Sequence, residues 1–223
     1  ICFLDADDEF CGNDVLNEWY IEAYTNCADL CKAQNEVERK GLVSLSYSFN
    51  KYHGKLFHGL NEFPEILNAT SCWQFLYKRS FLSKFNLKFL ETIKQREDRP
   101  FFFHALVHAE RIYCSSLVST RYLVREASTM RTINLEQLSY FNVHLQNIID
   151  IINANLQRIS GKAIEFTIQY YISTFINYWK DLLVSNLKKK VVVEYIDLMS
   201  LLAKLSPFSS DGILLDILPL QRT

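Results

Sequence analysis

The sequence begins ICFLDADDEF (residues 1–10), in which four apolar residues run directly into an acidic cluster. Unpaired carboxylates in an apolar core would become protonated or unfold the protein, so this cluster does not lie inside a strand. A short apolar run that charges bring to an end is typical of a buried strand. The stretch therefore predicts that residues 1–4 end a buried strand and that the acidic residues meet solvent or a cation beyond it.

The composition limits the class of protein. The 223 residues are 49% hydrophobic and 14% aromatic, which is enough for one large domain or a domain with an appendage. The 24 basic and 25 acidic residues nearly cancel, so no overall field favours nucleic acid as a partner. Six cysteines without a CxxC pair or zinc spacing indicate reduced thiols. With no apolar run of about 20 residues, we expect a cytoplasmic protein, soluble or peripheral at the inner face of the membrane.

Hydrophobic periodicity divides the chain into two parts. The first part, residues 1–132, alternates strand and helix patterns and predicts an α/β domain. Its predicted elements are a helix over 15–26, a strand over 28–34, a polar insert with one hairpin over 35–61, a strand or turn and a short helix over 70–85, a helix over 97–109 and a strand over 112–122. The second part, residues 133–223, carries long helical patterns, so we predict an all-helical C-terminal module there.

The acidic cluster is the first candidate site. Carboxylates two residues apart after a strand, as in Asp5 and Asp7, can bind a hard divalent cation and through it a diphosphate. Such a cation stabilises a leaving diphosphate as a Lewis acid. Two other interpretations remain open: Asp5 as a phosphoryl-accepting nucleophile with Asp7 as acid/base, as in aspartate-based phosphatases, and a solvated turn that caps a helix.

Two further motifs carry groups suited to group transfer. In QREDRPFFF, Glu97 and Asp98 start a predicted helix, where either is a partner of the helix dipole or a general base for an acceptor hydroxyl. In RYLVREASTM, Arg121 and Arg125 lie four residues apart and are followed by hydroxyls. Two such guanidinium groups suit the oxygens of a diphosphate, and a solvated loop is the alternative.

Taken in order, four landmarks resemble a known family. FLDADDEF, WQFLYKRSFL, ED followed by an apolar helix, and YLVREAS resemble the GT-A glycosyltransferases of family 2, particularly bacterial enzymes that build capsules and surface polysaccharides. In that family the landmarks typically read FLDSDD, NKLYKRSFL, EDVLF and YRVREGS. The resemblance covers residues 1–132 as the second half of the catalytic domain. Because the family's nucleotide-holding first half has no counterpart here, we expect an N-terminal extension with a strand and an Asp-rich nucleotide loop.

The resemblance implies a role for each matching residue. Asp7 would bind Mg²⁺ or Mn²⁺ on the donor diphosphate, with Asp5 beside it near the donor ribose or sugar and Asp8 in support. Asp98 would be the general base of an inverting displacement, with Glu97 as the second candidate. The remaining matches are Arg121 and Arg125 on the diphosphate, and Trp73, Tyr77, Lys78 and Arg79 on the acceptor side. Gln74 departs from the family's Asn, and Ala127 stands where Gly or Asn is common.

The sequence therefore predicts a metal-dependent, inverting glycosyltransferase that moves a sugar from a nucleotide sugar, a UDP-sugar by preference, to a glycan or lipid-linked acceptor. A phosphatase is the first alternative, although Glu9 occupies the place where that class has Thr or Val. The second is a non-catalytic helical interaction module. The basic cluster at 188–190 suits a peripheral membrane contact, and the C-terminal helices suit a homo-oligomer. His104 and His108, four residues apart without a third ligand, indicate helix packing rather than zinc.

Overall fold

The computed structural model describes residues 1–46, 49–69, 71–91, 97–124, 135–179 and 188–205. Its strands are β1 (Glu9–Phe10), β2 (Leu30–Arg39), β3 (Leu42–Leu45), β4 (Lys55–Phe57), β5 (Phe75–Tyr77) and β6 (Ile112–Val124). Its α-helices are α1 (Val15–Thr25), α2 (Arg79–Lys84), α3 (Asp98–His108), α4 (Leu135–Ala154), α5 (Gly161–Trp179) and α6 (Lys188–Ala203). The chain divides into two compact units, the first formed by Ile1–Phe63, Ala69–Lys88 and His108–Arg131, the second by Pro64–Asn68, Phe89–Val107 and Thr132–Thr223.

The first unit is built on a mixed six-stranded sheet. Strands β2 and β6 are parallel neighbours at its centre, with Leu30 opposite Ile112 and Arg39 opposite Val124. Antiparallel partners complete both sides, since β3 and β5 pair with β2, and β1 and β4 pair with β6. The register of the central pair shifts on either side of Gln34. Such a bulge redirects side chains locally, and polar residues accumulate at this one.

Helix α1 covers one face of the sheet through a single large side chain. Trp19 is fully buried among Ala28, Cys31 and Ala33, and its indole Nε1 donates to the Cys31 carbonyl at 3.1 Å. Tyr20, next along the helix, is exposed. The helix predicted over 15–26 is thus confirmed, with Trp19 as its anchor on the sheet.

Most predicted elements of the first part are present, and two interpretations were wrong. Residues 1–4 do not form a buried strand, because Ile1 and Leu4 are 49% and 38% exposed. Ile1 exchanges both backbone hydrogen bonds with Tyr77, but residues 1–4 do not continue this pairing as a strand. The polar insert predicted from residue 35 was placed too early, because β2 continues to Arg39 and forms the hairpin with β3. The charge of Glu36 near the end of β2 is accommodated because it forms an ion pair with Arg121 of β6.

The second unit is helical in its described residues. Phe141 of α4 meets Tyr171 of α5 edge to face, with ring centroids 5.0 Å apart, and Asn142 donates to Glu194 of α6 at 2.8 Å. Each of these three helices contributes buried apolar side chains: Leu145 comes from α4, Ile168 from α5 and Leu198 from α6. This unit also contains most of α3, which the sequence placed with residues 1–132. None of the helices in the described residues combines the length and apolar character needed to cross a membrane.

Candidate functional site

The acidic cluster forms a tight turn fixed to strand β6. The amide of Asp8 donates to the carbonyl of Asp5 at 3.0 Å, which closes the turn. The Asp8 carboxylate accepts a hydrogen bond from the amide of Leu123 at 2.9 Å, near the carboxyl end of β6. Asp5 and Asp7 are exposed. Asp8 therefore anchors the turn at the edge where the parallel strands β2 and β6 end, and the exposed residues Asp5 and Asp7 lie in this turn.

The chemistry of this turn fits a divalent cation that shares its ligands with a substrate. Asp5 and Asp7 offer hard oxygen donors, the type that Mg²⁺ and Mn²⁺ prefer. Mg²⁺ is usually held by one or two carboxylates together with substrate phosphates, and keeps several waters. Across the described ranges, no group of three or more His, Cys, Asp or Glu side chains is placed to hold a metal by itself. The donor set thus suits a cation carried on a diphosphate rather than a structural metal site.

Arg121 lies beside the turn and is paired with two carboxylates. Its Nη1 contacts Glu9 Oε1 at 2.8 Å across the β1–β6 pair, and its Nε contacts Glu36 Oε2 at 2.9 Å across the β6–β2 pair. The thiol of Cys11 donates to the same Glu36 oxygen at 3.8 Å. Burial of Cys11, and to a lesser extent the negative charge of Glu36, raises the pKa of the Cys11 thiol to about 11. A diphosphate would compete with these carboxylates for Arg121. Arg125, its predicted partner, lies outside the described residues.

The predicted acceptor-side residues divide into two buried and two exposed side chains. Trp73 is buried and stacks on Tyr122 of β6, with ring centroids 6.1 Å apart and planes 15° from parallel. Tyr77 is also buried, and its hydroxyl donates to the Cys72 carbonyl at 3.1 Å, so its ring belongs to the core. Lys78 and Arg79 are exposed where α2 begins.

The sequence reasoning missed buried polar residues of β2 that lie opposite a bulge in β6. Lys32 and Gln34 are 3% and 2% exposed, and Asn35 beside them is buried. Gln34 donates to Asn50 Oδ1 at 2.6 Å, and Gln74 donates to Asn35 Oδ1 at 3.2 Å. The signal was present in CKAQN, where two long polar side chains interrupt an apolar strand.

The predicted general bases lie in the second unit, at the start of α3. Asp98 opens the helix, and both Glu97 and Asp98 are half-buried. The next residue, Arg99, is buried: its Nη2 donates to the Leu67 carbonyl at 2.6 Å, and its guanidinium lies 3.7 Å from the centre of the Tyr170 ring. Arg99 thereby fixes the first turn of α3 and the backbone that carries Asp98. The sequence reasoning missed it, although a charge directly before a run of phenylalanines was a signal.

Comparison with known proteins shows the fold. No family model matches the sequence, and no curated protein matches it. The structure is similar to S. aureus TarS 1–349 in complex with UDP-GlcNAc, with a TM-score of 0.69 and 15% identity over 96% of this chain and 60% of that one. The complex of TarS 1–349 with UDP gives 0.66 and 15% over 95% and 59%, and a further TarS structure gives 0.64 and 15% over 96% and 36%.

The chain thus spans about three fifths of the length of the TarS 1–349 structures that it matches. At 15% identity the likeness concerns the fold alone. The resemblance to glycosyltransferases that the sequence motifs indicated is therefore confirmed for the architecture, while the assignment to family 2 stays a prediction. The chain has a glycosyltransferase-like mixed α/β fold, shared with TarS.

Proposed function

We propose that the chain is part of a family 2 glycosyltransferase that moves a sugar from a nucleoside diphosphate sugar, a UDP-sugar by preference, to a glycan or lipid-linked acceptor in bacterial surface polysaccharide synthesis. The observation that carries the proposal is the acidic turn: Asp8 fixes it to Leu123 of β6 and leaves Asp5 and Asp7 exposed. The shared fold supports it, because TarS has been solved with UDP-GlcNAc and with UDP.

In this proposal the two exposed carboxylates hold the donor. Asp7, assisted by Asp5, would bind Mg²⁺ or Mn²⁺ on the donor diphosphate, and the bound cation supplies charge stabilisation to the leaving group. Asp8 keeps the turn in place through its hydrogen bond to β6. Arg121 and Arg125 are the proposed further diphosphate contacts. Arg121 would exchange its bond with Glu9 or Glu36 for one with a phosphate oxygen.

The proposed reaction is an inverting displacement. Asp98, with Glu97 as second candidate, accepts the proton of the acceptor hydroxyl, and the oxygen of that hydroxyl attacks the anomeric carbon of the donor sugar. The bond from that carbon to the diphosphate oxygen breaks, and the nucleoside diphosphate leaves with the electron pair. Arg99 is a positioning residue here, since it holds the helix start that carries Asp98. Lys78 and Arg79 are the exposed proposed contacts on the acceptor side.

Location and assembly belong to the same proposal. We place the enzyme in the cytoplasm, with the basic start of α6 at 188–190 as a contact for the inner face of the membrane. The C-terminal helices would form the interface of a homo-oligomer or take part in this membrane contact. No nucleic acid is invoked as a partner, because the charges of the chain nearly cancel.

The test is a donor panel with the full-length protein that contains this chain. UDP-sugars and other nucleotide sugars are supplied with Mn²⁺, Mg²⁺ or EDTA, and release of nucleoside diphosphate is measured; a parallel reaction offers an aryl phosphate. We expect release from one donor class that EDTA abolishes. Phosphate release from the aryl phosphate alone would favour the aspartate phosphatase, and neither activity would favour a non-catalytic module.

A further inference from the structure

Helix α6 has two apolar faces, one packed inside the second unit and one exposed. On the packed face, Leu198 is fully buried, and the Glu194 carboxylate accepts a hydrogen bond from Asn142 of α4 at 2.8 Å. On the other face, Val193 and Ile196 are 56% and 59% exposed. A surface helix ordinarily has a single apolar stripe, which it buries against the core. The second apolar stripe of α6 therefore indicates a second contact.

The exposed stripe has the spacing of a coiled-coil seam. From Val193, steps of three, four and three residues lead to Ile196, Ser200 and Ala203, and all four residues are exposed. Alternating steps of three and four keep side chains on one side of a helix, and they define the a and d positions of a heptad. We call Val193, Ile196, Ser200 and Ala203 the α6 seam. Its spacing fits a helix as the partner.

The charges beside the α6 seam fit a second copy of the same helix. Lys190 and Asp197 are exposed and lie seven residues apart, so they flank the seam on the same side. On the other side, Val192 is 38% exposed and Met199 is buried. In an antiparallel pair of identical helices each flank meets the same flank of the copy, so Lys190 approaches Asp197. In a parallel pair Lys190 would meet the uncharged flank instead.

The same charges select the register of an antiparallel pair. With Val193 opposite Ile196 of the copy, Lys190 and Asp197 of the copy differ in level by two residues, about 3 Å along the axis. A long lysine side chain spans this offset. Sliding the copy until Val193 faces Ala203 would bring the two Asp197 carboxylates together, which is unfavourable. The first register therefore places two ion pairs beside the apolar contacts.

The composition of the exposed face favours a helix over a membrane surface as the partner. Helices that lie in the membrane interface bury Trp, Phe or Leu side chains and carry Lys or Arg on the polar face. The α6 seam instead contains Val193, Ile196 and two small residues. The Asp197 carboxylate beside it would be repelled by anionic lipid.

We propose that α6 pairs with α6 of a second copy of this chain in the antiparallel orientation, with Val193 of each copy opposite Ile196 of the other and Lys190 beside Asp197. The proposal specifies the homo-oligomer that belongs to the proposed function, and it rests on that part of the proposed function alone. A helix of 16 residues is about 24 Å long, so this interface lies at the lower end of the range for specific complexes. We expect a dimer that dissociates on dilution.

The first test measures the mass of the full-length protein that contains this chain by sedimentation equilibrium at several concentrations. Ile196→Glu places a carboxylate in the α6 seam. Ile21→Glu makes the same change at an isoleucine of α1 that is 52% exposed, and is the matched control. Circular dichroism establishes that both variants are folded. We expect Ile196→Glu to raise the dissociation constant of the dimer at least about tenfold, and Ile21→Glu to leave it unchanged.

The second test exchanges the two charges. Asp197→Lys brings like charges together at both ends of the pair and should weaken the dimer at least about threefold. Adding Lys190→Asp to this variant restores opposite charges at both contacts, so the dissociation constant should return to that of the unsubstituted protein. This recovery is specific to the antiparallel orientation, because in a parallel pair the two side chains lie on opposite sides of the seam.

Each other result overturns the proposal. A single copy at every concentration, or a dimer that Ile196→Glu leaves intact, would exclude the α6 seam as the interface. Failure of the double exchange to restore the dimer would refute the antiparallel arrangement. Binding of the single copy to vesicles of anionic phospholipid, lost in Ile196→Glu, would make the seam a membrane contact. None of these measurements uses a nucleotide sugar, so absence of donor hydrolysis would refute the proposed transfer reaction and leave the dimer to be decided by mass.

Discussion

At the scale of single residues, the burial of the Lys32 ammonium is costly to the fold. Because its pKa falls from 10.5 to about 8 on burial, the folded state releases this proton before the unfolded state does. Between these pH values the unfolded state binds more protons, so the stability of the protein rises with pH across this window. In the described part of the chain, His53 and Cys114 are titratable groups that interact with Lys32, and the Cys114 pKa of about 12 lies above the window.

We therefore predict that Lys32→Met stabilises the protein at pH 7, by on the order of 3 kcal/mol in the free energy of unfolding. This gain should shrink as pH rises past 8 and vanish near 10.5. Urea denaturation of both proteins at several pH values measures it, with Lys88→Met, at an exposed lysine, as control. An equal difference at all pH values would show that packing rather than charge sets the effect.

At the scale of elements, α1 depends on Trp19 for its attachment to the sheet. The side chain is fully buried and its indole donates to the Cys31 carbonyl of β2. We predict that Trp19→Ala lowers the free energy of unfolding by about 3–5 kcal/mol, the range for large aromatic truncations in cores. Tyr20→Ala, one residue along on the exposed side, should change it by no more than about 0.5 kcal/mol. Equal losses in thermal or urea denaturation would contradict this packing.

Helix α3 depends on Arg99 in a different way. The guanidinium combines a hydrogen bond to the Leu67 carbonyl with a contact on the Tyr170 ring. We predict that Arg99→Met costs about 3 kcal/mol of stability, from a lost charged hydrogen bond and a lost cation–π contact. Arg39→Met, at the exposed end of β2, is the matched control. A loss no larger than that of the control would show that the Leu67 and Tyr170 contacts do not hold the helix.

The elements were predictable from sequence where one local pattern decides them. The stripe of Val15 and Trp19 predicted α1, and the β-branched run after residue 112 predicted β6. Other features depend on partners far along the chain. The sequence could not show that β2 continues past Asn35, because Glu36 is accommodated by Arg121, 85 residues later.

The candidate site was predictable to a similar extent. The acidic turn at residues 5–8 could be located from sequence because charge disfavours it inside a strand, although Glu9, the last acid of the cluster, lies in β1. Its attachment through Asp8 to Leu123, 115 residues away, could not. Arg99 was missed because its partners, Leu67 and Tyr170, lie 32 residues before and 71 residues after it.

At the scale of the whole molecule, the account joins a shared fold to one acidic turn. The fold is that of TarS at 15% identity, which fixes the architecture and leaves the chemistry to the residues of this chain. Two carboxylates carry the proposed donor site, so exchanging one of them should remove activity without disturbing the fold. Asp7→Asn and Asp14→Asn make the same charge change at exposed positions, and the Asp14 side chain forms no cap bond to α1.

The most direct measurement is the release of nucleoside diphosphate from the preferred nucleotide sugar by the full-length protein and these two variants, with Mn²⁺ or EDTA. We predict that Asp7→Asn lowers the rate at least about 100-fold, since metal stabilisation of the leaving group is worth several kcal/mol. Asp14→Asn should retain the activity of the unsubstituted protein. EDTA should abolish the activity of the unsubstituted protein and of Asp14→Asn. Activity that survives Asp7→Asn and EDTA would contradict a metal-dependent glycosyltransferase whose donor site is the acidic turn.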